Sequence, residues 1–530
     1  MTPKQHWWRL GLLMIGAAAL LGWLTAHTEI LSADGPRYIA QAKTIDQGAW
    51  TNGLVRSVDH PVYPLAISAV HRLIGGNRPD DWQKAAQLAA AFAGVLLAIP
   101  TYLIALELFG PSSAWLACLL IYLIPSNGHI LADALSESTL LLFWSFAVWS
   151  SLRLLRTGRP AWLFLVVLSS LLAYLTRPEG LVVPGSLFAT LILLRPLSSV
   201  LRPSESLGFP EPCRRWALGL LMVGSLIAAG PFMLMKGGIS SKPAMSRLLG
   251  LTPRAGALAV ERERPLDPEQ TVPRTILLAT RAMVRAVAGA TTIPLLLLAP
   301  VGIAVGCSPA VARRSWLFLG IMLGASALAL IRMHSLAGYC TPRHAMIVAW
   351  VLVLAGGAGL GRAVASLAST AARFLGDRWT IERVDAAVKA IALGGCVMAW
   401  GPAATAPIDS GFAGYRLAGE WLASTKGAGE RVIDPKGLSL FYAGEPGYTF
   451  DTLTEGSHDR AVRWVIAHDS LLLGPWNYCE LLRKLVDDRR STRVFPVNRV
   501  RGSTQVYVFD LWRPEEKTAG SSLPQLRPRQ

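Results

Sequence analysis

Apolar runs with little or no charge recur along this chain, and that recurrence limits its folds more than any other feature. The first spans Leu10 to Ala26. Others lie near 86–108, 114–131, 138–155, 161–176, 180–194, 216–235, 286–306, 315–331, 345–361 and 388–404. Each approaches the roughly 20 residues that a helix needs to cross a bilayer. Inside lipid only helices and closed barrels satisfy every backbone polar group. The runs therefore predict an all-α polytopic membrane protein of about eleven transmembrane helices. Composition agrees: 52% of the 530 residues are hydrophobic and 16% charged, where soluble domains carry about a quarter charged residues.

The formal charge is +17, but the Lys and Arg residues stand between apolar runs, as orientation signals do, and form no single basic face. A nucleic-acid partner is not expected. The six cysteines have no paired metal-site spacing. Arg153, Arg156 and Arg159 share one short loop, Arg195, Arg202, Arg214 and Arg215 a second, Arg313 and Arg314 a third, and Arg362 to Arg383 a fourth. With the N-terminus cytoplasmic and the first run kept as a signal anchor, all four loops fall inside. Three segments then lie outside: loops at about 27–85 and 236–285, and everything after about 405.

The domain plan is thus a transmembrane part over 1–404, a small extracytoplasmic α/β domain over 405–512, and a disordered tail over 513–530. The α/β reading rests on an amphipathic stretch, Tyr415–Ser424, on β-rich stretches at Arg431–Asp434, Val462–His468 and Gln505–Trp512, and on a helical stretch at 476–488.

Candidate chemistry sits on the outer side. Asp34 follows the first run by less than ten residues, where a carboxylate could take a proton from a hydroxyl at the membrane surface; before Gly-Pro it could equally form a turn or a helix cap. His60, in Asp59-His60-Pro61-Val62-Tyr63-Pro64-Leu65, could bind a metal or a phosphate oxygen, or belong to a loop packed among headgroups. Asp133 and Glu137, four apart, would share one face of a helix and could hold a divalent metal, orient an acceptor or cap the helix start. Arg177 and Glu179 flank Pro178 and could pair with each other or meet substrate. The second long loop holds an excess of base, including Lys236, Lys242, Arg247, Arg254, Arg262 and Arg264. It could recognise a lipid phosphate or an acidic glycan, or reflect the tolerance of long loops for charge.

These motifs, in their order and on one predicted side, resemble the polyprenyl-phosphate-dependent GT-C glycosyltransferases, in the branch of the protein mannosyltransferases and lipid A aminoarabinose transferases. The resemblance rests on Asp34 with Tyr38 after it, the His60-Pro61 turn, Asp133-Ala-Leu-Ser-Glu137, Leu175-Thr-Arg177-Pro178-Glu179-Gly180 and Gly338-Tyr339-Cys-Thr-Pro342-Arg343-His344. It covers roughly residues 8–360. It implies sugar transfer from a polyprenyl-phosphate donor, with inversion, to a glycan, lipid or protein acceptor on the outer face of a bacterial inner membrane. Asp34 takes the place of the catalytic base. His60, Arg343, Tyr339, Arg177, Asp133 and Glu137 become candidates for binding donor phosphate or substrate. Arg343 stands where the family has an Arg-Tyr motif, although His344 follows it here; alternatively it snorkels to the interface. No cofactor is expected to be obligatory, and a divalent metal remains an alternative. Two rival functions stay open: a transporter or flippase of lipid-linked sugars, and a catalytically inactive scaffold for envelope assembly.

Overall fold

The computed structural model describes residues 3–200, 211–242, 245, 248, 272–306, 310–375, 380–474, 477–486, 491–496 and 503–512. The first ten helices are α1 (Pro3–His27), α2 (Gly35–Asp46), α3 (Val62–Ile74), α4 (Pro79–Phe109), α5 (Pro111–Leu123), α6 (Pro125–Ala132), α7 (Glu137–Thr157), α8 (Ala161–Tyr174), α9 (Val182–Val200) and α10 (Glu211–Lys236). There follow α11 (Val272–Thr291), α12 (Ile293–Gly306), α13 (Ala310–Ala337), α14 (Met346–Leu375) and α15 (Ile381–Ala404). Among the described residues eight helices are long and apolar enough to cross a membrane, and two bent pairs raise that number to ten.

The departures from the expected eleven runs have local causes. The run at 114–131 is α5 and α6, bent by 71°. Ile124 there is extended (φ −70°, ψ 119°), the conformation that a following proline favours. The run at 286–306 becomes α11 and α12, bent by 90° at Thr292, whose φ is 70°. The run at 161–176 forms the 14-residue α8, shorter than a straight crossing requires. The segment expected as a loop at 27–85 is largely helical, holding α2, α3 and the start of α4. Of the second long loop, 243–244, 246–247 and 249–271 lie outside the described residues, and so does the tail 513–530.

Helix ends follow their sequences. Pro79 opens α4, where the Asp81 carboxylate accepts the Arg78 N–H at 3.0 Å, and Gly158 closes α7 in the left-handed region (φ 66°). At one end of the bundle Glu107 pairs with both Arg153 (2.7 Å) and Arg156. There too Arg314 donates to the Leu155 carbonyl at 3.2 Å, and Arg9 to that of Pro111 at 3.3 Å. The basic loops at 153–159 and 313–314 thus meet at this end. The acids singled out from the sequence lie at the other.

Beyond α15, residues 414–510 carry α16 (Gly414–Thr425), β1 (Arg431–Ile433), α17 (Leu438–Ala443), α18 (Leu453–His458), β2 (Val462–His468), α19 (Asp469–Leu473), α20 (Asn477–Val486), β3 (Arg493–Phe495) and β4 (Val506–Asp510). The strands form one sheet in the order β1-β2-β4-β3, with β1 parallel to β2 and the other pairs antiparallel. This C-terminal lobe shares a hydrophobic core with the bundle. Tyr38, Tyr63, Trp82 and Ala86 of α2 to α4 cluster with Tyr415, Leu422, Leu438 and Tyr442 of the lobe.

Close packing elsewhere depends on missing side chains. A Cβ at Gly302 of α12 would lie 1.8 Å from the Ala355 carbonyl oxygen of α14, and one at Gly359 of α14 2.2 Å from that of Leu298. Small residues let helix backbones approach in this way within membranes. Gly302→Val is expected to cost about 1–3 kcal/mol of stability by overpacking, read as a lower unfolding midpoint in detergent. An unchanged midpoint would mean that the two helices separate freely.

Candidate active site

The charged residues at the second end of the bundle form one continuous chain of alternating sign. Lys242 Nζ lies 2.7 Å from Asp59 Oδ1. Asp59 also receives Arg37, through Nε and, at 3.3 Å, through Nη2. Arg37 reaches Asp34 at 3.4 Å, and Asp34 Oδ2 lies 2.5 Å from Arg343 Nη1. The Nε of Arg343 donates to Glu137 Oε1, which also accepts Arg177 Nη1 at 2.8 Å. Arg177 Nη2 ends the chain on Glu179 Oε1 at 3.0 Å. Alternating partners let eight charges sit close together, because each one's loss of water is offset by neighbours of opposite sign.

Local sequence explains each placement. Asp34 precedes Gly35-Pro36 at the N-cap position of α2, but its side chain makes no capping bond and so is available to Arg343. It keeps 31% of its exposure and opens to water on one side. Burial would raise its carboxyl, but the charges of Arg343, Arg37 and Lys242 outweigh that effect and hold it well below the usual carboxylate range. Arg37, one helical turn on, faces the same way. Tyr38 ties α2 to the start of α7, its hydroxyl lying 3.0 Å from Ser136 Oγ. Pro178 opens a short 3-10 turn that contains Glu179 and is preceded by Arg177, and the two pair as the sequence allowed. Glu137 opens α7; its Oε2 is buried without a partner among the described residues.

Asp133 does not share a helix face with Glu137. It sits between α6 and α7 in extended backbone (φ −83°, ψ 166°), because the helix stops at Ala132 and restarts after the Ser136 turn. Its Oδ1 accepts the N–H groups of Ala134 (2.7 Å) and Ser32 (3.3 Å). Burial, aided by the charge of Asp409, pushes its carboxyl up to about 7. Among the described residues no three His, Cys, Asp or Glu side chains form a group that could hold a metal.

His60 is buried against Tyr174 and Phe232. Its Nδ1–H donates to the Tyr174 carbonyl at 2.6 Å, which leaves the lone pair on a buried Nε2 that has no partner among the described residues. Burial, with the charge of Lys242, lowers its pKa to about 4, so the ring is neutral at physiological pH. His344 is likewise lowered to about 4, by burial and by the charges of Arg177 and Arg343. Its Nδ1 lies 2.7 Å from Thr341 Oγ1. Tyr339 stands apart from the charged chain: it is 36% exposed and its ring packs against His344, 5.5 Å between centroids.

Four members of the site carried no assigned role in the sequence. Arg37 and Asp59 were only neighbours of Asp34 and His60, and the spacing Asp34-x-x-Arg37 at a helix start was the signal that could have found the first. Lys242 and Lys236 were part of a general excess of base. Lys236 Nζ bonds the carbonyls of Ser57 and, at 3.3 Å, Asp59, and so holds the segment that presents Asp59. Arg247, Arg254, Arg262 and Arg264 of that loop lie outside the described residues.

Comparison with known proteins agrees with this architecture. Residues 59–205 match the family described as dolichyl-phosphate-mannose-protein mannosyltransferase. The structure is similar to that of ArnT from Cupriavidus metallidurans bound to undecaprenyl phosphate (TM-score 0.56, 15% identity, covering 95% of this chain and 99% of that one). It is also similar to the archaeal oligosaccharyltransferase AglB from Archaeoglobus fulgidus in complex with an inhibitory peptide and a dolichol-phosphate (TM-score 0.53, 13% identity, covering 91% and 73%). Among curated proteins no sequence matches.

The ionic chain makes a prediction about acid stability. Asp59 is 1% exposed. Burial would raise its carboxyl, but Lys242 and Arg37 lower it to about 2. A carboxyl depressed in the folded state stabilises fully above its unfolded pKa near 4 and loses that contribution as pH falls toward 2. Asp59→Asn is expected to cost about 3 kcal/mol at pH 7, because it strands two cations. Its unfolding midpoint should then fall less than that of wild type between pH 4 and pH 2. Parallel pH curves for the two proteins would contradict this account of Asp59.

Proposed function

Given a multi-pass membrane chain with the GT-C fold, we propose that it transfers a sugar from a polyprenyl-phosphate donor to a hydroxyl acceptor, with inversion, at the outer face of a bacterial inner membrane. The observation that carries this reading is the contact between Asp34 and Arg343, 309 residues apart in sequence and 2.5 Å apart in space. It joins a carboxylate suited to proton abstraction to a guanidinium suited to a phosphate. The undecaprenyl phosphate bound to ArnT and the dolichol-phosphate in complex with AglB support a lipid phosphate as the anionic part of the donor.

In the resting chain Arg343 holds Asp34 ionised and a weak base. A donor phosphate entering beside Arg343 would draw the guanidinium toward itself, and the proton affinity of Asp34 would rise as its partner left. The acceptor hydroxyl then gives its proton to Asp34 while its oxygen forms a bond to the anomeric carbon. The bond from that carbon to the phosphate oxygen breaks. The departing polyprenyl phosphate keeps the electron pair, stabilised by Arg343 with Arg177 and Lys242 nearby. In this reading Glu137 retains Arg177 and orients Arg343. The cations already supply the charge that the leaving group needs, so we propose that no divalent metal is required. The gathering of ionisable groups at helix ends also favours transfer over a flippase, which would keep such groups deep within its spans.

Purified protein in nanodiscs, given a panel of radiolabelled polyprenyl-phosphate sugars and an envelope extract as acceptor, tests the proposal. Wild type is expected to move label to the acceptor, and Asp34→Asn to bind donor but transfer about 10²–10⁴-fold more slowly. Arg343→Lys should raise the donor KM about tenfold or more, because an ammonium cannot bridge two oxyanions in the manner of a guanidinium. Wild-type rates from Asp34→Asn would remove Asp34 as the base. Donor binding without any transfer by wild type would favour the flippase or scaffold readings.

A further inference from the structure

Asp34 stands at the end of a connector that makes few bonds to itself. Between α1 and α2 the polar backbone groups are taken by side chains from distant parts of the chain. The Thr28 carbonyl accepts Gln83 Nε2 at 3.1 Å, and the Glu29 carbonyl accepts Arg416 Nη1 at 2.9 Å. The Leu31 N–H donates to the Tyr442 hydroxyl at 3.2 Å, and the Ser32 N–H to Asp133 at 3.3 Å. One bond is local, from the Gly35 N–H to the Ser32 carbonyl at 2.8 Å.

Two of these partners, Tyr442 and Arg416, belong to the C-terminal lobe. Tyr442 is the more constrained. Its hydroxyl lies 2.7 Å from Gln83 Oε1 and 3.3 Å from the Glu29 carbonyl; its single proton serves these acceptors, the nearer being Gln83, so its oxygen is left as the acceptor for Leu31. The ring lies in the core shared by bundle and lobe, beside Ile30 and Leu31, which are almost fully buried. A buried N–H that loses its acceptor has no water to turn to, so the placement of Leu31 within the connector depends on this oxygen.

We infer that Tyr442 is a positioning residue for Asp34: through the Leu31 N–H and Gln83, the C-terminal lobe sets where the carboxylate stands relative to Arg343. The kinetic consequence rests on the glycosyl-transfer reading of the site, whereas the structural consequence is independent of it. Displacing a reacting group by about 1 Å can cost on the order of a hundredfold in rate. The loss should fall on turnover, since Tyr442 makes no contact with the cations that would hold the donor phosphate.

The test compares wild type, Tyr442→Phe and Arg463→Gln in nanodiscs. Tyr442→Phe keeps the ring in the core and removes only the hydroxyl. Arg463→Gln removes ion pairs to Glu430 and Asp510 inside the lobe, away from the connector. Hydrogen exchange over residues 28–35 is read first. It is expected to quicken about tenfold in Tyr442→Phe and to match wild type in Arg463→Gln. Transfer assays follow, with kcat expected to fall about 10–100-fold in Tyr442→Phe while the donor KM stays within about twofold. Unchanged exchange in Tyr442→Phe, or equal loosening in Arg463→Gln, would overturn the inference. So would a rise in KM at constant kcat. Were wild type to transfer no sugar, the glycosyl-transfer reading would fail, and the exchange result alone would decide whether Tyr442 holds the connector.

Discussion

Six separate segments of the chain meet in one line of charges running from Lys242 through Asp59, Arg37, Asp34, Arg343, Glu137 and Arg177 to Glu179. The four acids and four bases balance, and every interior member touches a partner on each side. Such a line is stable only when complete, since deleting one group leaves its neighbours charged and short of water. It therefore fixes the ends of α2, α7, α8, α10 and α14 relative to one another. It is open in two places. Asp34 keeps contact with solvent, and Glu137 has an oxygen with no partner among the described residues. In the proposed reaction, a donor phosphate would enter by exchanging with a carboxylate already in the line.

Around this line the structure divides its tasks. The opposite end of the bundle is held by Glu107 with Arg153 and Arg156, and by backbone bonds from Arg314 and Arg9. The middle is apolar and packed closely enough that Gly302 and Gly359 admit no side chain. Rigidity on both sides leaves the charged end as the place where small movements of side chains can occur without unpacking the helices.

Much of this was legible in sequence, and the exceptions have physical causes. Apolar runs report helices well because lipid demands them, but they say little about where a helix bends. The break at Ile124 depends on the proline that follows it and the break at Thr292 on a positive φ, neither of which interrupts the hydrophobic run. Asp34, Glu137 and Arg177 stand out by type and position and Arg343 through the family resemblance, and the fold brings the four together. Asp133 and Glu137 were read as helix neighbours, and the turn at Ser136 separates them. The sequence leaves His60 either as a ligand of phosphate or metal or as part of a packed loop; its Nδ1 is committed to the Tyr174 carbonyl and its buried Nε2 has no partner among the described residues. Arg37 and Asp59 carry no assigned role in the sequence, and Lys242 none beyond its basic loop, because an ion pair between distant residues leaves no periodic trace; Tyr442 carries none because a buried tyrosine in a small α/β lobe looks like any other core residue.

The core shared by α2 to α4 and the C-terminal lobe bears on how such proteins can diversify. Tyr38, Trp82 and Tyr415 belong to one packed unit, although more than 300 residues of sequence separate its two parts. A lobe transplanted from a relative would arrive with only half of its interior and would find a foreign surface to complete it. Recombination at the boundary near residue 405 would thus yield misfit chimeras unless the first helices travelled with the lobe. Variation in the lobe should arise more readily by substitution in place than by exchange of whole segments.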